Sequence, residues 1–312
     1  MSPTVDPLLV ITNADAGSGD QDALETALEV LRARASVEVA ATSNPGELDG
    51  VLHRAGSRRI VVAGGDGSMH AVVAALHRRN ELAGTVIGLI PLGTGNDFAR
   101  GNGLPVEPDE AARVVLTGTP TPTDLLVDEF GDIVVNNVHV GASAQAGRLG
   151  AGVKSVLGKV RIGPIGLGKL GYPIGALMAA VRPHVLHLKV EVDGVVVNDL
   201  DQQVLMVALG NGSDVGGGTS LNPDADPADG KVDVMVSRAV GRLDRIAYVA
   251  HLSRGEHEGR DDVVSLRGSQ VTVAGDEFWA SADGEIHGPE RRRTWRVVPG
   301  AYSLLRPAKS LD

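Results

Sequence analysis

The sequence Arg59-Ile-Val-Val-Ala-Gly-Gly-Asp-Gly-Ser-Met-His70 decides the fold, because a short apolar run leads directly into a glycine cluster. The apolar run predicts a buried strand over residues 59–63, and the pattern that follows predicts a helix over residues 71–79. Three glycines form the cluster: Gly64, Gly65 and Gly67. Glycines here let the backbone approach a ligand and present its amides, and the start of the helix favours a phosphate group. A glycine-rich connection that binds no ligand is the alternative.

The flanking segments repeat the same arrangement. Apolar runs predict strands over residues 8–12, 37–41 and 86–91, and leucines spaced by four and three predict a helix between the first two strands. Strands that alternate with helices form a parallel sheet covered on both faces. Ligands bind such sheets at the carboxyl ends of the strands, so the residues that follow each strand are the candidates for function.

A second glycine segment, Ile90-Pro-Leu-Gly-Thr-Gly-Asn-Asp-Phe-Ala-Arg100, begins where one of these strands ends. It could face the first cluster across one crevice, where Asp66 and Asp97 would serve the metal-bound phosphates that a kinase requires. The alternative is a turn followed by a helix that Asn96 or Asp97 caps.

Valine-rich alternation replaces the strand–helix pattern after residue 124. Strands are predicted over residues 133–140, 185–197, 204–209, 232–236, 263–273 and 294–298. The dipeptide Asp193-Gly194 supplies a two-residue turn for a hairpin. We therefore predict an antiparallel sandwich or barrel after a boundary near residues 118–126. A glycine-rich segment interrupts it, with a short helix expected around residues 174–181.

Composition excludes several function classes. The chain has 312 residues, 41 of them glycine, and no cysteine, which excludes disulfides, thiolate metal sites and cysteine nucleophiles. A net charge of −10 and few aromatic residues argue against nucleic acid as a partner. Residues 148–182 run against this average, with six basic residues and no acidic one. Neither a secretory signal nor a bilayer-spanning run is predicted, so we expect a cytoplasmic protein.

Two acidic stretches lie in the second half of the chain. The carboxylates of Asp224, Asp226, Asp229 and Asp233 fall within ten residues of a loop rich in proline and glycine. Such a cluster suits Mg²⁺ or Ca²⁺, and a solvated acidic turn is the alternative. The tripeptide Asp283-Gly284-Glu285 by itself predicts only a hairpin turn.

The two glycine segments together carry a family resemblance. Gly64-Gly-Asp-Gly-Ser68 and Pro91-Leu-Gly-Thr-Gly-Asn-Asp-Phe-Ala-Arg100 resemble the signature of the diacylglycerol kinase catalytic domain. That family includes bacterial soluble lipid kinases, sphingosine kinases and ceramide kinases, and it is distantly similar to NAD kinases. The similarity runs nearly the whole length. Residues 13–17 stand in place of an Asn-Pro-x-x-Gly loop, and segments 223–231, 253–257 and 283–285 match bacterial members.

The resemblance implies both a fold and an activity. The fold would be a Rossmann-like α/β domain with a parallel sheet over residues 1–124 and an antiparallel β-sandwich domain over residues 125–293. A last segment, 294–312, could return to the first domain, and the active site would lie between the domains. The activity would be ATP- and Mg²⁺-dependent transfer of the γ-phosphate to a lipid hydroxyl, with diacylglycerol, giving phosphatidic acid, as the leading acceptor.

Two other functions are weighed against this one. An NAD kinase-like nucleotide kinase shares the glycine–aspartate cluster, but Gly93-Thr-Gly-Asn-Asp97 and the later Asp-Gly-Glu point to lipid kinases. A catalytically silent regulator that binds lipid or nucleotide is the other alternative. Retention of Asp283 and Glu285 argues against it, since a silent protein need not keep them.

Site residues follow from the matched motifs. The resemblance implies that ATP is held by Asn13, Gly17, Thr42, Gly64, Gly65, Asp66, Gly67, Ser68, Gly93, Thr94, Gly95 and Asn96. Asp66, Asp97 and Asp124 would form, through water, an acidic network around the catalytic Mg²⁺. Glu285, beside Asp283, would be the general base that takes the proton of the lipid hydroxyl. A second, structural Mg²⁺ would be bound by the Asp229 carboxylate, with backbone carbonyls from Asp226 and Lys231.

The chain departs from the family pattern at three positions. Ala14 stands in place of a proline, and Ser68 replaces a threonine but keeps the hydroxyl group. Ala71 stands near the position where many members carry a glutamate, and its methyl group can bond neither nucleotide nor metal.

A lipid acceptor would bring the enzyme to the inner face of the membrane as a peripheral protein. Segment 148–182 is the candidate docking lip, since each cation near an anionic leaflet is worth about 1 kcal/mol. A basic loop that lies on the protein's own acidic face is the alternative. A homodimer is a further candidate assembly.

Overall fold

The computed structural model describes residues 6–14, 17–142, 144 and 185–308. The basic segment 148–182, including the helix expected around residues 174–181, lies outside the described residues, as do residues 15 and 16 of the 13–17 loop. The chain divides into two compact units. The first comprises Met1–Leu125, Asp226–Gly230 and Val298–Asp312, and the second comprises Leu126–Ala225 and Lys231–Val297.

The first unit is built on a parallel sheet. Its strands are β1 (Leu8–Asn13), β2 (Val37–Thr42), β3 (Arg59–Gly64), β4 (Val86–Pro91) and the last residues of β17 (Glu285–Arg306). The order across the sheet is β2–β1–β3–β4–β17, and every neighbouring pair is parallel. The C-terminal residues 298–306 thus belong to this sheet, where Ser303 pairs with Val86. Strands β1 to β4 begin and end where the apolar runs predict, within a residue, whereas β17 is much longer than the strand predicted over residues 294–298.

Helices cover this sheet. They are α1 (Ser18–Arg32), α2 (Pro45–His53), α3 (Asp66–Arg78), α4 (Asp97–Gly101) and α5 (Pro108–Thr117). Leu28 and Leu31 of α1 are buried in one cluster with Val10 and Val61 of the sheet. Each side chain buried in this way stabilises the fold by about 1.5–3 kcal/mol. The sequence had predicted a later start for α3, at residue 71. The helix begins at Asp66 because the carboxylate favours the positive end of the helix dipole, and an extended Gly65 precedes it.

The second unit is an antiparallel β-sandwich. One run of strands has the order β15 (Val263–Gly268), β14 (Val232–Ser237), β11 (Met206–Gly210), β7 (Asn137–Gly141), β16 (Gln270–Ala282). The first half of β16 pairs with β8 (Leu186–Val192), and the second half pairs with β7. Register shifts in the middle of β16 accompany this change of partner. The architecture therefore is an α/β unit with a parallel sheet and a β-sandwich unit, as predicted.

Shorter elements complete the second unit. They are β5 (Thr119–Asp128), which begins in the first unit, β6 (Ile133–Val134), β9 (Val195–Asn198), β10 (Gln203–Val204), β12 (Asp214–Val215), β13 (Thr219–Ser220), α6 (Arg242–Leu252) and a 3₁₀ turn (His257–Gly259). The single strand predicted over residues 263–273 is wrong, because the chain turns at Ser269. The Ser269 amide donates to both carboxylate oxygens of Asp193, at 3.0 and 3.1 Å. It therefore does not donate to a neighbouring strand, and the ladder is interrupted at this residue.

Two apolar clusters stabilise the sandwich. The larger lies inside it and includes Val138, Val140, Val207 and Trp295. The smaller lies under α6, where Tyr248 packs with Met206 and Met235. Within the part of the chain that the structure describes, no helix combines the length and the apolar character needed to cross a bilayer.

Candidate active site

The carboxyl edge of the parallel sheet gathers the predicted nucleotide residues of the first unit. Asn13 ends β1 and Thr42 ends β2, and the two are neighbours across the ladder. Gly64 ends β3 and is the neighbour of Pro91, the last residue of β4. All four strand ends therefore meet at one edge, which is where parallel sheets bind ligands.

The two glycine segments are in backbone contact at this edge. The Leu92 amide donates to the Gly64 carbonyl at 3.2 Å. A Cβ atom placed on Gly93 would lie 2.7 Å from the Gly65 Cα, which is closer than real side chains approach a backbone. Gly65 and Gly93 are therefore required by the packing of one loop on the other, and the expectation that the two segments face each other is met within this unit.

Asn96 holds the second loop in shape. Asn96 is buried, and its backbone has a left-handed φ of 54°, which asparagine tolerates. The side-chain Oδ1 accepts from the Gly93 amide at 3.0 Å, and Nδ2 donates to the Gly93 carbonyl at 2.7 Å. Asn96 precedes α4, yet its side chain does not cap that helix. The side chain of Asn96 closes the loop over residues 93–96.

Asp66 links the two segments. Its carboxylate accepts from the amide of Phe98 at 2.9 Å and from that of Asp97 at 3.2 Å. These are first-turn amides of α4, which would otherwise lack intrahelical partners. A carboxylate from the first segment thus caps the helix of the second segment. The amides of Asp97 and Phe98 are its hydrogen-bond donors.

The start of α3 is arranged differently. Among the described residues no side chain caps this helix, and Ser68 lies inside its first turn. The amides of Ser68 and Met69 both donate to the Gly65 carbonyl. The preceding amides, of Asp66 and Gly67, point from the positive end of a 13-residue helix. This is an arrangement that suits a phosphate group.

The carboxylates of Asp66 and Asp97 both lie beside Gly95. A Cβ atom on Gly95 would lie 3.2 Å from Asp66 Oδ2 and 3.7 Å from Asp97 Oδ2. Both oxygens therefore border one small space, and the Asp97 side chain is largely buried. Mg²⁺ is usually held by one or two carboxylates together with water and substrate phosphates. The chemistry of this pair fits that ion.

Asp124 has another set of partners. Its Oδ2 accepts from the Gly230 amide at 2.6 Å and its Oδ1 from the Gly300 amide at 2.8 Å. Its own amide donates to the Pro227 carbonyl at 2.7 Å. Asp124 therefore binds two segments that are distant in sequence. This explains why Asp226–Gly230 belongs to the first unit, although the sequence prediction places it within the domain over residues 125–293.

The residues of the predicted structural metal site are divided between the units. Asp226 and Asp229 belong to the first unit and Lys231 to the second. Asp226 Oδ1 accepts from the Ala228 amide at 3.1 Å and lies 3.9 Å from Arg306 Nη1. Lys231 Nζ donates to Ser269 Oγ at 2.9 Å. Over residues 6–14, 17–142, 144 and 185–308, no group of three or more His, Asp or Glu side chains is placed to hold a metal ion.

In the second unit, the predicted catalytic pair forms a tight turn. Asp283 and Gly284 have φ values of 47° and 88°, and Ala282 pairs with Glu285 across the hairpin. The Asp283 carboxylate accepts three amides: Val135 at 2.7 Å, Asn136 at 2.9 Å and Asn137 at 3.1 Å. Glu285 is exposed to solvent. Asp283 thus fixes the hairpin that presents Glu285.

Sequence reasoning missed His139, which lies near this hairpin. It stands between Val138 and Val140 of the sandwich core, so its ring lies on the opposite face of the sheet. Its Nε2 lies 2.8 Å from Asn137 Oδ1, and it borders a small cleft with Asp214 and Asn222. The alternation of valine with a polar residue within one strand was the available signal.

Burial of His139 predicts that the fold is sensitive to acid. Burial lowers its pKa from 6.5 to about 4, against a weaker opposite effect of the Asp283 carboxylate. Between these two values the unfolded chain binds a proton at His139 and the folded chain does not. The free energy of unfolding therefore falls as the pH falls through that window. We expect His139 alone to lower the free energy of unfolding by about 2–3 kcal/mol between about pH 7.5 and pH 4.5.

Urea unfolding of the wild type and of His139→Gln at both pH values measures this contribution. Other groups titrate equally in the two proteins, so the difference in their pH dependence isolates His139. Equal pH dependence in the two proteins would show that the histidine titrates normally in the fold.

Comparisons with known proteins find matches over most of the chain. Residues 7–127 match the model of the diacylglycerol kinase catalytic domain, and residues 138–306 match that of the YegS C-terminal NAD kinase beta sandwich-like domain. A Xanthomonas oryzae pv. oryzae protein named "Probable lipid kinase YegS-like" is 30% identical over 308 residues, covering 93% of each chain. A Mycobacterium tuberculosis protein named "Diacylglycerol kinase" is 30% identical over 263 residues, covering 81% of this chain and 78% of the relative.

A solved structure shows the same fold. The crystal structure of a diacylglycerol kinase from Bacillus anthracis str. Sterne superposes with a TM-score of 0.71 at 19% sequence identity, and the match covers 99% of each chain.

Proposed function

Because the chain belongs to the family of the diacylglycerol kinase catalytic domain, we propose that it transfers the γ-phosphate of ATP to the hydroxyl group of diacylglycerol and so forms phosphatidic acid. Membership of this family identifies the chain as a lipid kinase that uses ATP. The identity of the acceptor lipid is what we propose. The observation that carries the proposal is the contact between the two glycine segments, beside which lie the start of α3 and the carboxylates of Asp66 and Asp97.

The first unit supplies the nucleotide site of this proposal. Asn13, Thr42 and Gly64 stand at the strand ends, and the amides at the start of α3 are the donors for the phosphate chain. Gly17 precedes α1, whose start is likewise without a side-chain cap among the described residues. Phosphoryl transfer needs mainly positioning and neutralisation of charge, which backbone amides and helix ends provide.

Asp66 and Asp97 are the residues that would hold Mg²⁺ in this unit. When bound, the ion supplies positive charge to the phosphates of the nucleotide. Asp66 already accepts two amides, which fixes the orientation of its carboxylate. Asp124 would act with them through water, while its own oxygens hold the segments at Gly230 and Gly300. The structural Mg²⁺ site of Asp226, Asp229 and Lys231 remains part of the proposal.

Glu285 of the second unit is the proposed general base. The hydroxyl O–H bond of the acceptor would break as its oxygen bonds to the γ-phosphorus, with the proton passing to the Glu285 carboxylate and ADP leaving. Asp283 is a positioning residue in this scheme, since three backbone amides occupy its carboxylate. A base held on a tight hairpin loses little conformational freedom when it meets its substrate.

Diacylglycerol lies in a membrane, so the enzyme would work as a peripheral protein at the cytoplasmic face. Segment 148–182 remains the proposed docking lip on the strength of its six cations. A homodimer is part of the same proposal.

Phosphate transfer from labelled ATP to a panel of acceptors tests the function. The panel contains diacylglycerol, sphingosine, ceramide and NAD, each presented with Mg²⁺, and the lipids are dispersed in detergent. We expect kcat/KM for diacylglycerol to exceed that for every other acceptor by at least about tenfold. Transfer to NAD instead would favour a nucleotide kinase, and labelling of sphingosine or ceramide above diacylglycerol would change the acceptor.

A further inference from the structure

Helix α6 is apolar on its outer face as well as on its inner face. On the inner face, Tyr248 and Leu252 are buried in the cluster that lies under the helix. On the outside, Leu243 is 80% exposed and Ile246 is 60% exposed. These are large aliphatic side chains, and exposing both to water has a cost that most surface helices avoid.

The exposed Leu243 and Ile246 lie in one apolar strip with two half-buried alanines. Leu243, Ile246, Ala247 and Ala250 are separated by three or four residues, so they share a face of the helix. The two alanines are small, and the leucine and isoleucine therefore project beyond them. The strip is narrow and convex, and it presents two protruding anchors rather than a groove.

Basic residues border this strip. Arg242 at the start of the helix and Arg254 just beyond its end are both exposed, and Asp244 is the single acidic residue within α6. The Arg245 side chain is held against the start of the helix, because its Nε donates to the Gly241 carbonyl at 3.2 Å. The whole chain carries a net charge of −10, so two exposed cations beside an apolar strip differ from the acidic character of the chain as a whole.

We propose that the outer face of α6 binds an anionic lipid bilayer, with Leu243 and Ile246 inserted among the headgroups and Arg242 and Arg254 against the lipid phosphates. This inference rests on the proposed function, because a bilayer is where a lipid acceptor resides. An interfacial helix of this kind combines shallow apolar burial with attraction to anionic lipids. A second copy of the chain fits less well, since a stable dimer buries at least about 1,000 Å² and this strip is narrow.

Sedimentation with vesicles tests the proposal in the absence of ATP. The full chain is mixed with vesicles of phosphatidylglycerol or of phosphatidylcholine, and the bound-to-free ratio is measured. The double variant Leu243→Gln/Ile246→Gln is expected to lower the ratio on phosphatidylglycerol by at least about tenfold. The matched control is Val195→Gln/Leu200→Gln, which changes two aliphatic residues of the same unit that are 64% and 50% exposed. It is expected to bind like the wild type.

A second pair of variants tests the charges. Arg242→Gln/Arg254→Gln is expected to lower the preference for phosphatidylglycerol over phosphatidylcholine by roughly tenfold, since each cation near an anionic leaflet is worth about 1 kcal/mol. Arg291→Gln/Arg296→Gln removes two exposed cations of the same unit and is expected to keep that preference. Circular dichroism and thermal unfolding of each variant establish that the fold is intact.

Several outcomes would overturn the proposal. A wild-type chain that does not sediment with vesicles, or a Leu243→Gln/Ile246→Gln variant that binds as well as the wild type, places membrane binding elsewhere or nowhere. A wild-type dimer that this variant dissociates in gel filtration identifies a second copy as the occupant. Phosphate transfer to a detergent-dispersed acceptor is measured in parallel. Activity without vesicle binding refutes this inference alone, whereas vesicle binding without transfer to any lipid refutes the proposed function alone.

Discussion

Replacing Glu285 by glutamine is expected to lower kcat by about 10²–10⁴-fold, while the KM values for ATP and lipid change little. Glutamine has the same shape and also lies exposed at the hairpin, but it cannot take a proton from the acceptor hydroxyl. The proposed nucleotide-binding residues lie in the other unit, so the substitution leaves them unchanged. Steady-state kinetics with labelled ATP and dispersed diacylglycerol measures the effect.

Asp283→Asn provides a comparison within the same hairpin. Asparagine tolerates the φ of 47° at this position, but its side chain cannot accept three amides as the carboxylate does. We expect this variant to lose about 1–3 kcal/mol of stability as well as turnover, whereas Glu285→Gln loses turnover alone. Full turnover in Glu285→Gln would remove Glu285 from the role of base. If Glu285→Gln lost as much stability as Asp283→Asn, the role of Glu285 would be structural.

The parallel sheet could be predicted because its strands are apolar runs that end in glycine or another turn-forming residue. The run before Gly64 and the run that ends at Pro91 are both buried, and neighbouring parallel strands bring their ends to one edge. This local pattern was sufficient to place both glycine segments at the candidate site. The sandwich was predictable for a similar reason, since alternation with period two is a local property of each strand.

The partners of the site residues could not be predicted in this way. Asp66 caps a helix 31 residues further along the chain, and Asp124 binds amides 106 and 176 residues away. No spacing within a motif encodes such pairs, because tertiary packing brings them together. Sequence similarity assigned both residues to metal chemistry, and the structure adds that each also holds the backbone of the site in place.

Replacing Gly93 by alanine is expected to disrupt the nucleotide site through the backbone. The new Cβ would lie 2.7 Å from the Gly65 Cα and 2.9 Å from Asn96 Oδ1, and neither atom can move freely. The Asn96 side chain closes the loop by two hydrogen bonds to Gly93, so relief of the clash would break them. We expect a loss of about 1–3 kcal/mol in the free energy of unfolding, together with weaker ATP binding.

Gly67→Ala separates binding from folding. Apart from its chain neighbours and its own helix backbone, a Cβ atom on Gly67 meets no atom of the described residues within 4 Å, and Gly67 lies in the first turn of α3. Alanine in a helix is about 1 kcal/mol more favourable than glycine, so the fold is expected to be as stable as the wild type or more so. If phosphates approach the backbone here, the added methyl group displaces them. We then expect ATP affinity to fall by roughly 10–100-fold, the value of one or two hydrogen bonds to a charged group.

Calorimetric titration with ATP and urea unfolding of both variants distinguish the two effects. Gly67→Ala should weaken ATP binding without a loss of stability, and Gly93→Ala should lose both. Unchanged ATP affinity in Gly67→Ala would move the phosphates away from the start of α3. Wild-type stability and affinity in Gly93→Ala would mean that the two glycine segments separate freely in solution, and that their contact does not build the site.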